Sequence, residues 1–521
     1  MERIAVVGAG LSGIAAIKEL VEAGHNVVCF EKGSDIGGVF SERGSYDSVH
    51  LTVSNYFMAY SDFMPYGEDI RFWSRFEYKA YLDRYAEHFD IRKHIKFNCA
   101  LESMQKSEAG GWELTFLTDD GHTFTEIVDR AVICSGQFQQ PNIPDIPGLD
   151  SFPGKMIHSS NYKNVEELHE LRGKKVLCFG MGESAADVIT EIASIAESSV
   201  LSLRRPHMFA ARLLGEIPID VAQSRYWHTL PAKIKSDGVR DIWTRQFNKA
   251  KAAQDEPTRL LAEHILSAGD EAGSVVTKTE RIFEAQAYYG LEFDIGGVQK
   301  IEGNTVTFKS GRQSDFDAIV FCTGFKFVLP FLGPEHQFQD IRDCYLQMFH
   351  PKLGASVAFI GFVRPQQGGI PLMAELQARY YALLCSGQRQ LPANLEASAR
   401  KDAERWRQEF YETPNVFGLV NGLRYNEILA DLIGCRPPVP NFLLSPKTYL
   451  HYWYHHIWPC QYRLVGPGAR EEARQNWRKA PAILTPSEQM QGLKGSIVMQ
   501  LKSRFSRSGG DVYKWRPILE S

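Results

Sequence analysis

The sequence predicts an α/β protein with two parallel-sheet units, and three observations predict it. A β-branched run, Arg3 to Val7, ends in Gly8-x-Gly10-x-x-Gly13 and opens a helix-forming stretch to Glu22. The same grammar returns about 170 residues later, with Lys175 to Phe179, then Gly180-x-Gly182-x-x-Ala185, then more helix formers. Each unit also closes on a short apolar strand running into a glycine: Arg130 to Cys134 before Ser135-Gly136, and Asp317 to Cys322 before Thr323-Gly324. One glycine-rich turn is weak evidence. Two in register with strand and helix signals imply two Rossmann-like dinucleotide-binding domains.

In chain order, Gly24 stops the first helix and Val27 to Glu31 reads as the second strand, completing a βαβ unit. Trp112 to Leu117 and Thr123 to Ile127 read as a hairpin around Asp119-Asp120-Gly121. In the second unit, Glu183 to Ile195 reads as helix and Val200 to Arg204 as strand. The rhythm breaks from Pro206 to about Gly273, where helical segments at Val239 to Ala253 and Thr258 to Leu266 suggest an insertion. Val357 to Gly361 then returns to a buried strand and Leu372 to Leu384 to a long helix. The expected layout is a first domain over 1–165 and 329–445 enclosing a second over 166–328. Its helical insertion falls at about 206–273, and a C-terminal extension covers 446–521.

Composition narrows the function classes. With 521 residues, 44% hydrophobic and 23% charged, the chain is ordinary for a soluble globular protein of two or three domains. A net charge of −4 gives no reason to expect nucleic acid or an anionic membrane as partner. No run approaches the roughly 20 apolar residues of a membrane span. The apolar stretch Ile4 to Ile17 holds the first glycine loop, so it reads as a mature cytoplasmic start, not a leader. Nine cysteines without a C-x-x-C pair argue against a zinc site, a disulfide framework or a dithiol redox centre.

The first loop offers a pyrophosphate the free N–H groups at a helix amino end. Glu31, 23 residues after Gly8, stands where a carboxylate accepts from a ribose diol, and Gly37-Gly38 lets backbone approach the same ligand. Position in the chain favours FAD there. The second loop, with Gly182 and Ser184, has Arg204 and Arg205 at the corresponding strand tip, 24 residues after Gly180. Arginines suit a 2′-phosphate, so this site reads as NADPH. Two dinucleotides imply a redox enzyme. Without a dithiol, its electrons go to oxygen or a soluble acceptor.

Between the loops, FPGKMIHSSNY (Phe152 to Tyr162) matches the F-x-G-x-x-x-H-x-x-x-(Y/F/W) fingerprint of class B flavoprotein monooxygenases. The chain resembles the flavin-containing monooxygenase family over roughly residues 1 to 480. LTVSNYFMAYSDF (Leu51 to Phe63) is similar to the family's flavin-facing segment, FCTGF (Phe321 to Phe325) to its A-T-G-Y motif, and GPGAREEA to its terminal helix. The resemblance implies that NADPH reduces FAD, that O2 adds to give a C4a-hydroperoxyflavin, and that nitrogen or sulfur of a small organic substrate takes its distal oxygen. By resemblance, Asn55, beside Ser54, steadies the peroxide, and Phe40 stands where the family commonly has tryptophan. Thr323 and Gly324 belong to the nucleotide sites, and Gly368-Gly369 bring a helix end to the flavin. Gln377 is either packing or a dinucleotide contact, and His158 either a structural linker or a mechanistic group. Tyr162-Lys163 lowers Baeyer–Villiger oxygenation of ketones, which stays as an alternative beside a non-oxygenating NADPH oxidase. The basic C-terminal positions (Arg470, Arg474, Arg478, Lys479, Lys494, Lys502, Arg504, Arg507) read as a solvated face, and the aromatic tail could wrap a second subunit as a homodimer.

Overall fold

The β-branched runs beside each glycine turn pair as parallel strands, because each is followed by a helix that must cross the sheet before the chain returns. The computed structural model describes residues 1–42, 44–214, 217–222, 224–229, 232–267, 276–410, 418–478 and 480. Its first unit contains β1 (Arg3–Val7), α1 (Leu11–Glu22), β2 (Asn26–Phe30), α2 (Arg75–His88) and β3 (Ile95–Lys96). An antiparallel trio follows, β4 (Cys99–Lys106), β5 (Trp112–Thr118) and β6 (Thr123–Val128), and then β7 (Arg130–Ile133). The second unit holds β8 (Lys155–His158), β9 (Lys175–Phe179), α3 (Glu183–Ala193) and β10 (Ser198–Leu203). It continues with α4 (Ala232–Ala253), α5 (Glu256–Ser267), α6 (Arg281–Tyr289), β11 (Glu292–Ile295) and β12 (Ala318–Phe321). The chain then re-enters the first unit with β13 (Val357–Phe359) and α7 (Ile370–Cys385).

Two five-stranded parallel sheets result, in the orders β13-β7-β1-β2-β3 and β11-β10-β9-β12-β8. The α/β expectation is met in both. The hairpin expected at 112–127 gains a third strand, β4, whose sequence CALESMQK lacks a clean alternation. The edge strand β8 lies inside the Phe152–Tyr162 motif and pairs with β12, His158 opposite Phe321.

The expected insertion is helical at α4 and α5, and Trp243, Leu261 and Ala262 bury themselves in the second core with Phe209 and Phe283. Residues 268–275, also assigned to it, lie outside the described residues. The C-terminal stretch differs from the expected extension. Trp458, Cys460, Tyr462 and Trp477 share one core with Ile4, Ile14, Leu20 and Leu376, so this segment completes the first domain. Of the basic positions, Arg470 pairs with Glu22 and Arg474 with Glu471, whereas Lys479, Lys494, Lys502, Arg504 and Arg507 lie outside the described residues. Among the described residues, no helix is long and apolar enough to cross a membrane.

What fastens this segment is charge. Arg463, 0% exposed, places Nη2 at 2.5 Å from Glu19 and from Glu375 and 3.0 Å from Asp62. Its Nε donates to Ser61 Oγ at 2.8 Å and its Nη1 to Gly468 O at 3.0 Å. Lys18 joins Glu19 at 2.8 Å and also pairs with Asp62. The three carboxylates converge as they would on a metal ion, and the guanidinium takes that place. Burial works against ionisation of Glu19 and Asp62, but Arg463 and Lys18 outweigh it and hold both below the usual carboxylate range. A carboxylate depressed in the folded state stabilises above its unfolded pKa, near 4, and loses that contribution as pH falls through the folded value.

Arg463→Met leaves three buried carboxylates short of a cation and is expected to cost about 3–5 kcal/mol at pH 7. The sign with pH should reverse: the wild type gains stability from pH 4 to 7, whereas the variant is penalised most at pH 7, where its carboxylates must ionise. Urea unfolding at both pH values measures this.

Candidate active site

The two glycine loops are built on one steric rule. A Cβ on Gly8, which sits at φ +98°, would lie 2.7 Å from the Cys134 carbonyl oxygen. One on Gly180, at φ +107°, would lie 2.0 Å from that of Cys322. Only glycine fits such backbone-on-backbone contact at positive φ. Gly13 is tighter still, its Cβ falling 1.8 Å from Gly8 O, while a Cβ on Gly10 would lie 3.5 Å from Gly38 Cα and one on Gly38, at φ +57°, 3.1 Å from Gly10 Cα. Gly10 and Gly182 are N-caps of α1 and α3, and no side chain caps either helix. Both amino ends therefore keep donors for a phosphate.

Glu31 lies directly after β2, 8% exposed, and accepts from Ala9 N at 2.6 Å and Gly33 N at 2.7 Å. That holds the carboxylate against the glycine turn with lone pairs left for a diol. Phe40 is half-buried, edge-on to Tyr78 at 4.6 Å. Across the molecule, Ser184 is exposed in the first turn of α3, and Arg204 and Arg205 are exposed just past β10. The residues of each loop fit the dinucleotide the sequence suggested.

The remaining site residues join the domains. His158 is 5% exposed; its Nε2 meets Gly324 O at 3.0 Å, and its Nδ1 accepts from Ser160 N at 3.1 Å. Both nitrogens are satisfied and burial lowers its pKa, so it is a neutral structural peg. Thr323 donates its hydroxyl to Asn142 O, and Asn142 N donates to Gly324 O at 2.9 Å, making this pair part of the crossover. Gln377 is 0% exposed, its amide held by Gly361 N at 2.9 Å and Tyr425 OH at 2.7 Å. It ties the chain just past β13 to α7, where a Cβ on Gly361 would strike Ser12 Oγ of α1.

Asn55 is buried, with one N–H and the oxygen of its amide engaged. Its Nδ2 donates to Asp69 O at 2.9 Å, and its Oδ1 accepts from Tyr56 N and Arg71 N, both at 3.1 Å. It braces the 53–58 loop from behind. The neighbouring Ser54 Oγ, also buried, has no partner among the described residues.

Two acidic groups missed in the sequence stand beside it. Asp220, from the insertion, accepts Ser54 N on one oxygen and leaves Oδ1 buried without a partner among the described residues. Glu183, the first residue of α3, accepts Lys278 N at 3.0 Å and leaves Oε2 likewise. Lys278 Nζ in turn donates to Thr52 O at 3.2 Å. Burial raises the pKa of both carboxyls against the hydrogen bonds that oppose it. These buried atoms are free to take hydrogen bonds from a ligand. Gly369, the N-cap of α7, closes the same region, since a Cβ there would fall 2.1 Å from Phe57 O. Nothing in the sequence spacing linked residues 54, 183, 220 and 278.

Gly8→Ala is expected to abolish flavin retention, giving a colourless protein. Gly180→Ala should stay yellow but lose reduction by NADPH, as read by flavin content and anaerobic mixing. Replacing Arg204 and Arg205 with glutamine should lower the NADPH-to-NADH ratio of kcat/KM at least about tenfold, about 1.4 kcal/mol of lost phosphate binding.

The chain matches the family described as flavin-binding monooxygenase-like over residues 1–516. It is 42% identical over 486 residues, 91% of this chain and 92% of the relative, to a 4-hydroxybenzoate brominase (decarboxylating) of Marinomonas mediterranea. It is 28% identical to flavin-containing monooxygenase 5 of Oryctolagus cuniculus, over 91% of each chain. Among solved structures it resembles the S-allyl-L-cysteine S-oxygenase of Allium sativum, with TM-score 0.59 and 20% identity over 97% of this chain and 99% of that one. A cyclohexanone monooxygenase shares the fold with TM-score 0.60 and 17% identity, over 83% and 98%. The chain belongs to the flavin-binding monooxygenase-like family and is a flavin-dependent monooxygenase.

Proposed function

We propose that this enzyme binds FAD at the first glycine loop and NADPH at the second, and transfers one atom of O2 to a soft nucleophile. The observation that carries this is the pair of uncapped helix amino ends, one followed by Glu31 and the other by Arg204-Arg205. When bound, the flavin supplies an electrophilic oxygen and the nicotinamide a hydride. The chain's own residues orient and enclose. Glu31 takes the ribose of one dinucleotide, and Arg204 and Arg205 the 2′-phosphate of the other. Asp220 and Lys278 bring the second domain onto residues 52–54, while Arg225, bonded to Gln461 at 2.6 Å, ties the insertion to the C-terminal segment. Asn55 holds the 53–58 loop against residues 69 and 71 and keeps the second N–H of its amide for the cofactors. Glu183 and Asp220, whose pKa values burial raises, present Oε2 and Oδ1 without a hydrogen-bond partner among the described residues.

Amines, thioethers and halide ions are all soft nucleophiles that need no acid or base for their own activation. The similarity to 4-hydroxybenzoate brominases therefore favours bromide as acceptor, with a phenolic acid as the compound brominated. Oxygenation of nitrogen or sulfur is the second reading, consistent with the relatives named as N-oxide-forming monooxygenases. The test offers the FAD-loaded enzyme, NADPH and O2 with 4-hydroxybenzoate plus bromide, a tertiary amine, a thioether or a cyclic ketone. A brominated phenol formed one-for-one with NADPH is expected. Hydrogen peroxide equal to NADPH with every acceptor would establish an oxidase instead. Asn55→Ala should still consume NADPH but divert at least half of it to peroxide.

A further inference from the structure

A cavity of about 200 Å³ opens where the C-terminal segment is fastened to the first domain. One wall is the 61–66 stretch with Asp62, another the end of α2 with Phe89, and the short helix Glu471–Asn476 closes it. It is set back from the first glycine loop, since Asp62 pairs with Lys18, seven residues and about 10 Å along α1 from its amino end. Asp62 gives this cavity its chemistry. Its side chain is 2% exposed, and Arg463 and Lys18 keep it ionised. Both cations, with Arg470 at 3.6 Å, stand on Oδ2. Oδ1 is buried with no hydrogen-bond partner among the described residues. A charged acceptor left bare at that depth is costly, and a donor that reaches it recovers the loss.

The protein itself shows which donor suits these walls. Lys18 Nζ pairs with Asp62 Oδ2 and lies 5.0 Å from the centre of the Phe89 ring, within cation–π range. The same carboxylate and the same ring border the cavity, so a second ammonium entering it meets the groups that Lys18 uses, with Oδ1 still open. The remaining charges favour a cation. Glu471 and Glu472 stand exposed at the rim, whereas Arg470 is taken by Glu22, its Nη2 lying 2.6 and 2.7 Å from the two carboxylate oxygens. Glu471 also meets Arg474 at 3.3 Å, and His88, beside Phe89, opposes a cation only when protonated. Met64 supplies a thioether wall for an organic body. An apolar cavity of about 150 Å³ takes up benzene, so this one has room for an amine built on a ring of that size.

We propose that this cavity is a second ligand site, separate from the oxygenating cleft, and that it binds a small primary ammonium with an apolar body, Asp62 Oδ1 accepting its N–H beside the Phe89 ring. Its walls come from residues 61–66 and from residues 470–473, so a bound cation fastens the C-terminal segment to the first domain as Lys18 and Arg463 already do.

The experiment titrates the FAD-loaded enzyme, without NADPH, with benzylamine and with benzyl alcohol, the same shape without the charge, following the heat of binding, the thermal midpoint and the flavin absorbance. The amine should bind at least about tenfold more tightly than the alcohol, the margin of one charge-assisted hydrogen bond. It should raise the midpoint progressively with concentration and leave the flavin absorbance unchanged. Replacing Glu471 and Glu472 together with glutamine, at the exposed rim, should weaken the amine about threefold. Ala473→Leu, which fills the cavity, should abolish binding, and Asp62→Asn should remove the preference for amine over alcohol. Equal binding of the two compounds overturns the proposal, as does a wild type that gives neither heat nor a midpoint shift with the amine. Binding that persists in Ala473→Leu with a changed flavin absorbance places the amine in the oxygenating cleft and overturns it too. Sodium or magnesium chloride at matched ionic strength giving the same rise in midpoint would show an inorganic-cation effect in its place. Should Asp62→Asn fail to fold, the ratio of amine to alcohol in the wild type and the loss in the rim variant decide the outcome.

Discussion

Backbone crowding at the carboxyl ends of the two sheets is the constraint on which the rest depends. The strand that ends before Cys134 lies beside β1, and the one that ends before Cys322 lies beside β9, so each carbonyl arrives where the first glycine of a loop turns. A side chain at either turn would push the strands apart or tilt the following helix. With glycine, the helices start close under the sheets and leave their amino ends uncapped. The second loop is held from behind, Thr277 donating to Met181 O at 2.5 Å, and the next residue, Lys278, reaches the 52–58 segment of the first domain. Two copies of one steric solution are thus linked where Lys278 and Asp220 reach residues 52–54.

Much of this was legible in the sequence because the hydrophobic period changes sharply at each glycine turn. β1, α1, β9 and the start of α3 fall where the residue pattern places them, and β2 ends one residue before the expected Glu31. Elements without a period were not legible. β4 alternates poorly, and β8 is hidden in a motif read for its family likeness. The stretch after Arg436 shows proline and aromatics but no repeat, so its place in the first core could not be read from pattern.

The site was legible where a residue's job is set by its immediate neighbours, as at Gly8, Gly180 and Glu31. It was not where the job is set by residues far away in sequence. Ser54 and Asp220 meet across 166 positions, and neither has a flanking pattern that announces a ligand. Asn55 was pointed at by likeness to a family, and the fold also uses its amide to hold residues 69 and 71. Arg463 makes the same point among the buried cations, meeting Glu19 across 444 positions.

The position of Arg463 has a consequence for how the molecule is made. Its partners Glu19 and Asp62 leave the ribosome early, yet Arg463 follows Lys18 by 445 residues. At about 5–20 residues per second, the opening domain waits roughly 20–90 s for the guanidinium that neutralises its interior. The inserted nucleotide unit, complete within one continuous stretch, has everything it needs to fold during that interval. Synthesis order therefore favours the later-numbered domain as the first to mature, with the flavin-binding one closing around it last.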